Sequence, residues 1–433
     1  MLRLNAQRVA RRIAAAELPI VLAIAPALLF PTPARLALLA IMPIVWCCAR
    51  ASGDHCVPRT PINAGQWVIL AMVGISLWAT FDVLASLTKI SGVVLGALVF
   101  WAVSRWLTTS VRLHFGGAVF ILAGALLAVI GLLGTDWFDK FPALSPVVVR
   151  LPKLIRGLPG AETGFQPNAV AGGLLLFVPL QVALLAAGAH RWVWPRSPRR
   201  LSGAWFVGLE MVCLILTIGT LLLTQSRGAW VGLLVATAAF LLWHNRGTRV
   251  LAAAAAGALV LLTVTVGPGP LAEFAISRSG FGMASNVPGR LDVWSRALLG
   301  IQDFPITGMG MNSFRKLMPV LYPAILVPLD YDIAHAHNHL LQAALDLGVP
   351  GLIAYGSIWL VASALLVAVY RRTSERLYRV MAAGLGAGLI AHFTFGLTDA
   401  IPLGSKVGVL FWLTLALVVG LHRIALPGFT RSR

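Results

Sequence analysis

The chain has 433 residues, 58% of them hydrophobic and only 11% charged, with a formal net charge of +19. A soluble domain carries about 25% charged residues, so a soluble globular protein is excluded. The basic balance would suit nucleic acid, but the Lys and Arg that gather in cytoplasmic loops of a membrane protein explain most of it more simply.

Apolar runs long enough to cross a bilayer recur along the whole length. They predict an all-α polytopic membrane protein with about twelve transmembrane helices. The spans fall at 17–31, 35–49, 65–86, 90–107, 115–134, 168–189, 204–224, 228–243, 249–267, 349–370, 380–398 and 403–421. The first two are short and contain proline, which suggests a tight hairpin. The arginine-rich N-terminus leads into a span and shows no cleavage site, so no signal peptide is expected. Cys47, Cys48, Cys56 and Cys213 all fall on the side read as cytoplasmic or within spans, and no disulfide framework is indicated.

Basic residues set the orientation. With both termini cytoplasmic, 21 Lys and Arg lie inside and 13 outside, most of the latter in two long loops that weigh little in the rule. The whole chain is thus one transmembrane domain, 1–433, with a first outer loop at 134–168 and a large outer loop at 267–348. In the large loop, Pro288-Gly289 and Gly308-Met309-Gly310 mark turns. Leu291 to Ile301 and Asn338 to Leu347 have helical patterning, the second ending at Gly348 with Pro350 beyond.

The histidines divide by position. His55, His114, His190, His244 and His422 sit at cytoplasmic span ends, where an interfacial role suffices. His335, His337 and His339 cluster at the outer rim before the tenth span. Imidazole exchanges a proton near neutral pH, so a general acid or base is one reading. A metal site that adds Asp330 and Asp332 is another, since alternation on an extended strand would align three imidazoles. A structural cluster is the third.

Outer basic residues suggest an anionic substrate, because guanidinium matches phosphate oxygens in a two-pronged manner. Arg227 lies between two closely spaced spans, where snorkelling to headgroups is the alternative. Arg290 follows a turn, with an ion pair to Asp292 or Asp303 as its alternative. Arg156 and Lys153 lie in the first outer loop, where they serve equally as solvated charges. Asp399 and Lys406 read as a salt bridge pinning the last two spans. His392 and Glu210, both intramembrane, read as helix–helix hydrogen-bonding groups. No phosphate-binding Walker loop and no G-x-S-x-G elbow is present.

At these residues the chain resembles the O-antigen ligase and polymerase superfamily. The resemblance rests on T-Q-S-R-G-A-W from Thr224, R-L-D-V-W from Arg290 and P-I-T-G-M-G-M-N-S-F from Pro305. It continues with H-A-H-N-H-L-L-Q from His335 and G-L-T-D from Gly396, and covers roughly the second half of the chain. It implies a GT-C-type membrane glycosyltransferase of the bacterial inner membrane, with its site at the periplasmic face. In the ligases the donor is a glycan on undecaprenyl pyrophosphate and the acceptor is lipid A–core. The family's essential histidine falls on His337, and its arginines on Arg227 and Arg290. The first loop departs from pattern: Glu162-Thr163-Gly164 stands where relatives often carry arginine, leaving Arg156 to supply that charge from further off.

A single large loop, compact length and basic balance look more like a ligase. The alternatives are an O-antigen polymerase, a protein O-oligosaccharyltransferase and a lipid-linked-sugar transporter. The expected mechanism is a metal-independent, inverting single displacement without a cofactor. His337 is the base and Arg227 and Arg290 clamp the pyrophosphate, with Arg156 and Lys153 in second rank. Asn338 orients the imidazole or caps the next helix, and His339 is the reserve base. Besides its two substrates, membrane lipid is the only expected partner; nucleic acid is not.

Overall fold

The computed structural model describes residues 2–188 except 139 and 142, and 202–250 except 245, 246 and 248. It also describes 253, 254, 257 and 287–427 except 329 and 330. Most of the expected ninth span, the start of the large loop, His190 and Asp330 lie outside these residues.

The described residues are helical, with two isolated bridges and no strand among them. In chain order the helices are α1 (Leu2–Ala15), α2 (Glu17–Leu29), α3 (Pro33–Leu36), α4 (Ile41–Ala51), α5 (Asn63–Ala79), α6 (Val83–Trp106), α7 (Ser110–Gly134) and α8 (Ser145–Val148). They continue as α9 (Pro167–Leu174), α10 (Val178–Ala186), α11 (Ser202–Leu223), α12 (Arg227–His244), α13 (Val287–Asp303), α14 (Phe314–Leu321), α15 (His339–Arg372), α16 (Arg376–Gly396) and α17 (Val409–Ala425). Five helical stretches are long and apolar enough to cross a membrane, six if the bent pair at the N-terminus counts as one span. Asn63–Ala79, Val207–Leu223, Arg227–Leu242 and Val409–Ala425 are shorter apolar helices.

Several boundaries differ from the sequence expectation for local reasons. The third and fourth spans meet at Thr80–Asp82 rather than near residue 88. Asp82 accepts the Ala85 N–H at 3.0 Å and so starts α6 about two turns early. The sixth span is broken between α9 and α10. There the Leu176 N–H turns to the Gly173 carbonyl, which frees the carbonyl of Gly172, and the His392 ring N–H donates to it at 2.9 Å. His392 is therefore a structural partner between helices, as its position suggested. Glu210 is not: it is fully buried in α11, and its carboxyl oxygens find no hydrogen bond among the described residues.

The Asn338–Leu347 helix and the tenth span are one element, α15, kinked at Gly348 (φ 68°, ψ 178°). The P-I-T-G-M-G motif holds that kink. The Val349 N–H donates to the Pro305 carbonyl and the Met309 N–H to the Leu345 carbonyl, each at 2.7 Å. A Cβ on Gly348 would stand 2.1 Å from the Ile306 oxygen, so only glycine fits both the turn and the contact.

The core forms where α6 packs on α17 and α2, α5 on α15, and α16 on α10 and α12. Trp101, Trp412, Phe100 and Phe177 are fully buried in it. At one end of the bundle Arg105 joins Glu17 and Asp54, both at 2.5 Å, tying the N-terminal hairpin to α6. At the other end, here called the rim, lie the 135–166 and 304–338 connections, the starts of α12 and α15 and the end of α16.

Candidate functional site

Two short backbone devices build the site at the rim. Asn338 adopts an extended conformation and its side chain accepts the N–H groups of Leu340 and Leu341, so it caps α15. Just before it, His337 takes a left-handed φ of 49°. The Ala336 N–H is held by Gln342 at 2.8 Å. These contacts turn His337 out of the helix path and towards the end of α16.

There His337 Nδ1 meets Asp399 Oδ1 at 3.1 Å. The Ala400 N–H also donates to that oxygen, at 2.8 Å, and Asn168 donates to the second oxygen at 2.6 Å. A carboxylate so occupied fixes the imidazole with Nδ1–H towards Asp399 and leaves Nε2 as a lone-pair acceptor. No described residue hydrogen-bonds that Nε2. His335 stands edge-on to His337, 4.5 Å between ring centres. Its Nδ1 accepts the His337 N–H at 3.2 Å, and its Nε2 lies 3.8 Å from Asp399.

The electrostatics match this geometry. Burial raises the Asp399 carboxyl, but the hydrogen bond and charge of His337, then His335 and Arg290, outweigh it and hold the group well below the usual carboxylate range. Burial, with His337 alongside, pushes His335 down to about 3, so it stands as a neutral ring.

The cationic groups gather on the same cluster. Arg227 opens α12 and Arg290 lies in the first turn of α13, and the two charges act on one another. The field of Arg290 also reaches Asp399 and His335. Arg290 Nε is buried and lacks a hydrogen bond among the described residues. The expected ion-pair partners of Arg290 are engaged elsewhere. Asp292 holds Arg296 and the N–H groups of Ile325 and Leu326, and Asp303 accepts from Tyr322.

Lys140 was not singled out from the sequence. Burial first, then Arg227 and Arg290, push its ammonium down, while Asp399 draws it up. Gln225 carries it to the site: its amide oxygen accepts the N–H groups of Lys140 and Phe141 at 2.8 and 2.7 Å, and its amide nitrogen donates to Phe138. Phe141 then stacks on Trp230 at 5.2 Å.

Residues 212–356 match the family described as O-antigen ligase. The match covers a third of the chain and supports a likeness to the O-antigen ligase superfamily in that segment. No curated protein matches it. The ligase-family segment supplies Arg227, Arg290, His335 and His337. Asp399, Asn168 and Lys140 come from outside it and reach the cluster only through the fold.

Other expected site residues are placed differently. His339 is the first residue of α15, 4% exposed, with Nδ1 on the Tyr355 hydroxyl at 2.9 Å and its ring among Trp359 and Phe393. It therefore belongs to the aromatic core and does not share a face with the other two imidazoles. Lys153 pairs with Asp136 at 2.7 Å. Arg156 is exposed, and no described contact ties it to the histidines. The Asp399–Lys406 salt bridge is not formed: Lys406 donates to the Pro159 carbonyl at 2.6 Å and lies over the Phe30 ring.

Asp332 binds Arg315 and takes no part in the histidine cluster. His335, His337 and Asp399 present ligand atoms within 4.8 Å of one another, a set with zinc-binding chemistry. Among the described residues the metal reading thus narrows to these three; Asp330 lies outside them.

Proposed function

We propose that the protein is an O-antigen ligase. It would move a glycan from undecaprenyl pyrophosphate to a sugar hydroxyl of lipid A–core, at the periplasmic face of the bacterial inner membrane. The observation that carries this reading is His337, bound through Nδ1 to Asp399 and with Nε2 unengaged among the described residues, beside three cationic groups.

In the reaction, the acceptor hydroxyl gives its proton to His337 Nε2 as its oxygen attacks the anomeric carbon. The bond from that carbon to the pyrophosphate oxygen breaks, and its electron pair leaves with the pyrophosphate. Arg227, Arg290 and Lys140 offset the charge that develops there; fixed cations at a low-dielectric rim act strongly on such a charge. Asp399 holds the ring and stabilises the imidazolium that forms, without taking the proton itself. Asp399 accepts hydrogen bonds from three groups and is not free to attack carbon, so the reading is a single displacement with inversion. Asn338 serves as the cap of α15, and Lys153 and Arg156 stand outside this scheme. A twelve-span GT-C arrangement with both termini cytoplasmic fits it, because that orientation puts the rim in the periplasm.

Lipopolysaccharide gels of a deletion strain test the reading. Complementation with the wild-type chain should restore long-chain material, and His337→Ala should leave free core with lipid-linked polymer accumulating. Core capped by one repeat unit would instead mark a polymerase.

A further inference from the structure

Asp346 is a buried acid that the reaction scheme leaves without a task. It lies on α15 just before the Gly348 kink and is 4% exposed. Its Oδ1 accepts from Gln342 Nε2 at 2.9 Å and from the Asn312 N–H at 3.3 Å. Among the described residues no cation forms an ion pair with it, and Lys89 of α6 acts on it only through its field. Taking a carboxylate out of water on such terms is costly, and an apolar residue would pack there at less cost. Both donors lead to left-handed turns. Asn312 has φ 64°, and its side chain donates to the Ala85 carbonyl at 3.0 Å. Gln342 holds the Ala336 N–H through Oε1 at 2.8 Å, one residue before His337 with its φ of 49°. A residue other than glycine keeps a left-handed backbone only where its surroundings hold it there.

We infer that Asp346 is a positioning residue for His337, acting through the Gln342 amide, an inference whose kinetic consequence rests on the ligase reading above. A glutamine amide has an oxygen at one end and a nitrogen at the other, in nearly the same shape. The Ala336 end needs the oxygen, because a backbone N–H only donates. Turned round, the amide would set N–H against N–H, release Ala336 and loosen the turn that presents the imidazole. An ionised carboxylate only accepts, so Asp346 takes the Nε2 end and sends Oε1 to Ala336. An amide at 346 could serve either sense of Gln342, and an apolar residue neither. The need for an acceptor that cannot donate is thus a reason for a charge in this buried place. The same oxygen holds Asn312, so one carboxylate ties two left-handed turns together. The device parallels Asp399: that carboxylate fixes the tautomer of the His337 ring, and Asp346 fixes the backbone that carries it.

Three variants of the full chain test this, assayed in vesicles with an undecaprenyl-pyrophosphate donor and lipid A–core. Asp346→Leu should lower kcat by about tenfold or more and leave both KM values within about twofold, because a misplaced base slows proton transfer without loosening the substrates. Asp346→Asn, which keeps an acceptor oxygen, should lose less. In Gln342→Glu with Asp346→Asn, Glu accepts from Ala336 through either oxygen and Asn donates to Glu, so the relay and its net charge are restored. That double variant should return kcat to within about threefold of wild type, as coupled residues do. Amide hydrogen exchange gives a readout independent of turnover. The 336–337 backbone should exchange faster in Asp346→Leu and as slowly as wild type in the double variant. If Asp346→Leu does not fold, the other two decide, the double variant being the more active. Full activity of Asp346→Leu, a raised KM at unchanged kcat, a double variant no better than Asp346→Asn, or exchange at 336–337 that never changes would overturn the assignment. The expected exchange pattern in a chain whose wild type transfers no glycan would uphold the positioning and defeat the ligase reading instead.

Discussion

Asp399 and His335 do opposite jobs around one imidazole, and each makes its own prediction. Asp399 fixes the His337 tautomer. Asp399→Asn should therefore lower kcat by roughly 10²–10⁴-fold and leave KM for the donor nearly unchanged. In a His337→Ala background it should cost nothing further, because residues acting as a unit are not additive. A raised KM at constant kcat would instead assign Asp399 to substrate binding.

His335 acts on stability. Its folded-state pKa of about 3 lies below the roughly 6.5 of an unfolded histidine. Between those values the unfolded chain takes up a proton that the folded chain refuses. Stability should therefore fall as pH drops from about 6.5 towards 3. Thermal unfolding in detergent across this range should show that slope, and His335→Asn should flatten it. Equal slopes in the two proteins would show that His335 titrates normally when folded.

At the scale of elements, the connection between α11 and α12 is a clasp. Gln225 makes three hydrogen bonds to the 138–141 backbone and is itself 1% exposed. Gln225→Leu leaves two part-buried N–H groups without this acceptor and should cost roughly 1 kcal/mol for each, towards the lower end of the penalty for an unsatisfied group. It should also release Lys140 and so weaken donor binding. Unchanged stability together with unchanged donor KM would show that the loop is held by the Phe141–Trp230 stack alone.

Much of this level was legible in the sequence. Apolar runs located most helices, and Gly348 with Pro350 marked the change of direction in α15. The Asn338 cap and the α13 helix were read correctly in outline. The misses share a cause: their partners are distant in sequence. Asp399 looked paired with nearby Lys406, whereas its partner His337 is 62 residues away. Even spacing suggested that His335, His337 and His339 act together. The left-handed turn at His337 and the start of α15 at His339 send the third ring into the aromatic core instead. Nothing local distinguishes Lys140 from any loop lysine, since its place depends on Gln225.

For the whole molecule, the fold assembles one centre from segments that share no sequence neighbourhood. Residues 140, 168, 227, 290, 335–337 and 399 converge on the rim. Such convergence suits a substrate that brings a charged group to the membrane surface. The central claim is that His337 and the cations at this rim transfer a glycan without a divalent ion, even though His335, His337 and Asp399 have ligand chemistry. The most direct measurement is transfer by the purified full chain from an undecaprenyl-pyrophosphate donor to lipid A–core in EDTA. The account predicts that transfer proceeds, with one undecaprenyl pyrophosphate released per glycan moved, and that His337→Ala abolishes it. Activity lost in the chelator and restored by zinc would contradict the account and make the histidines and Asp399 metal ligands.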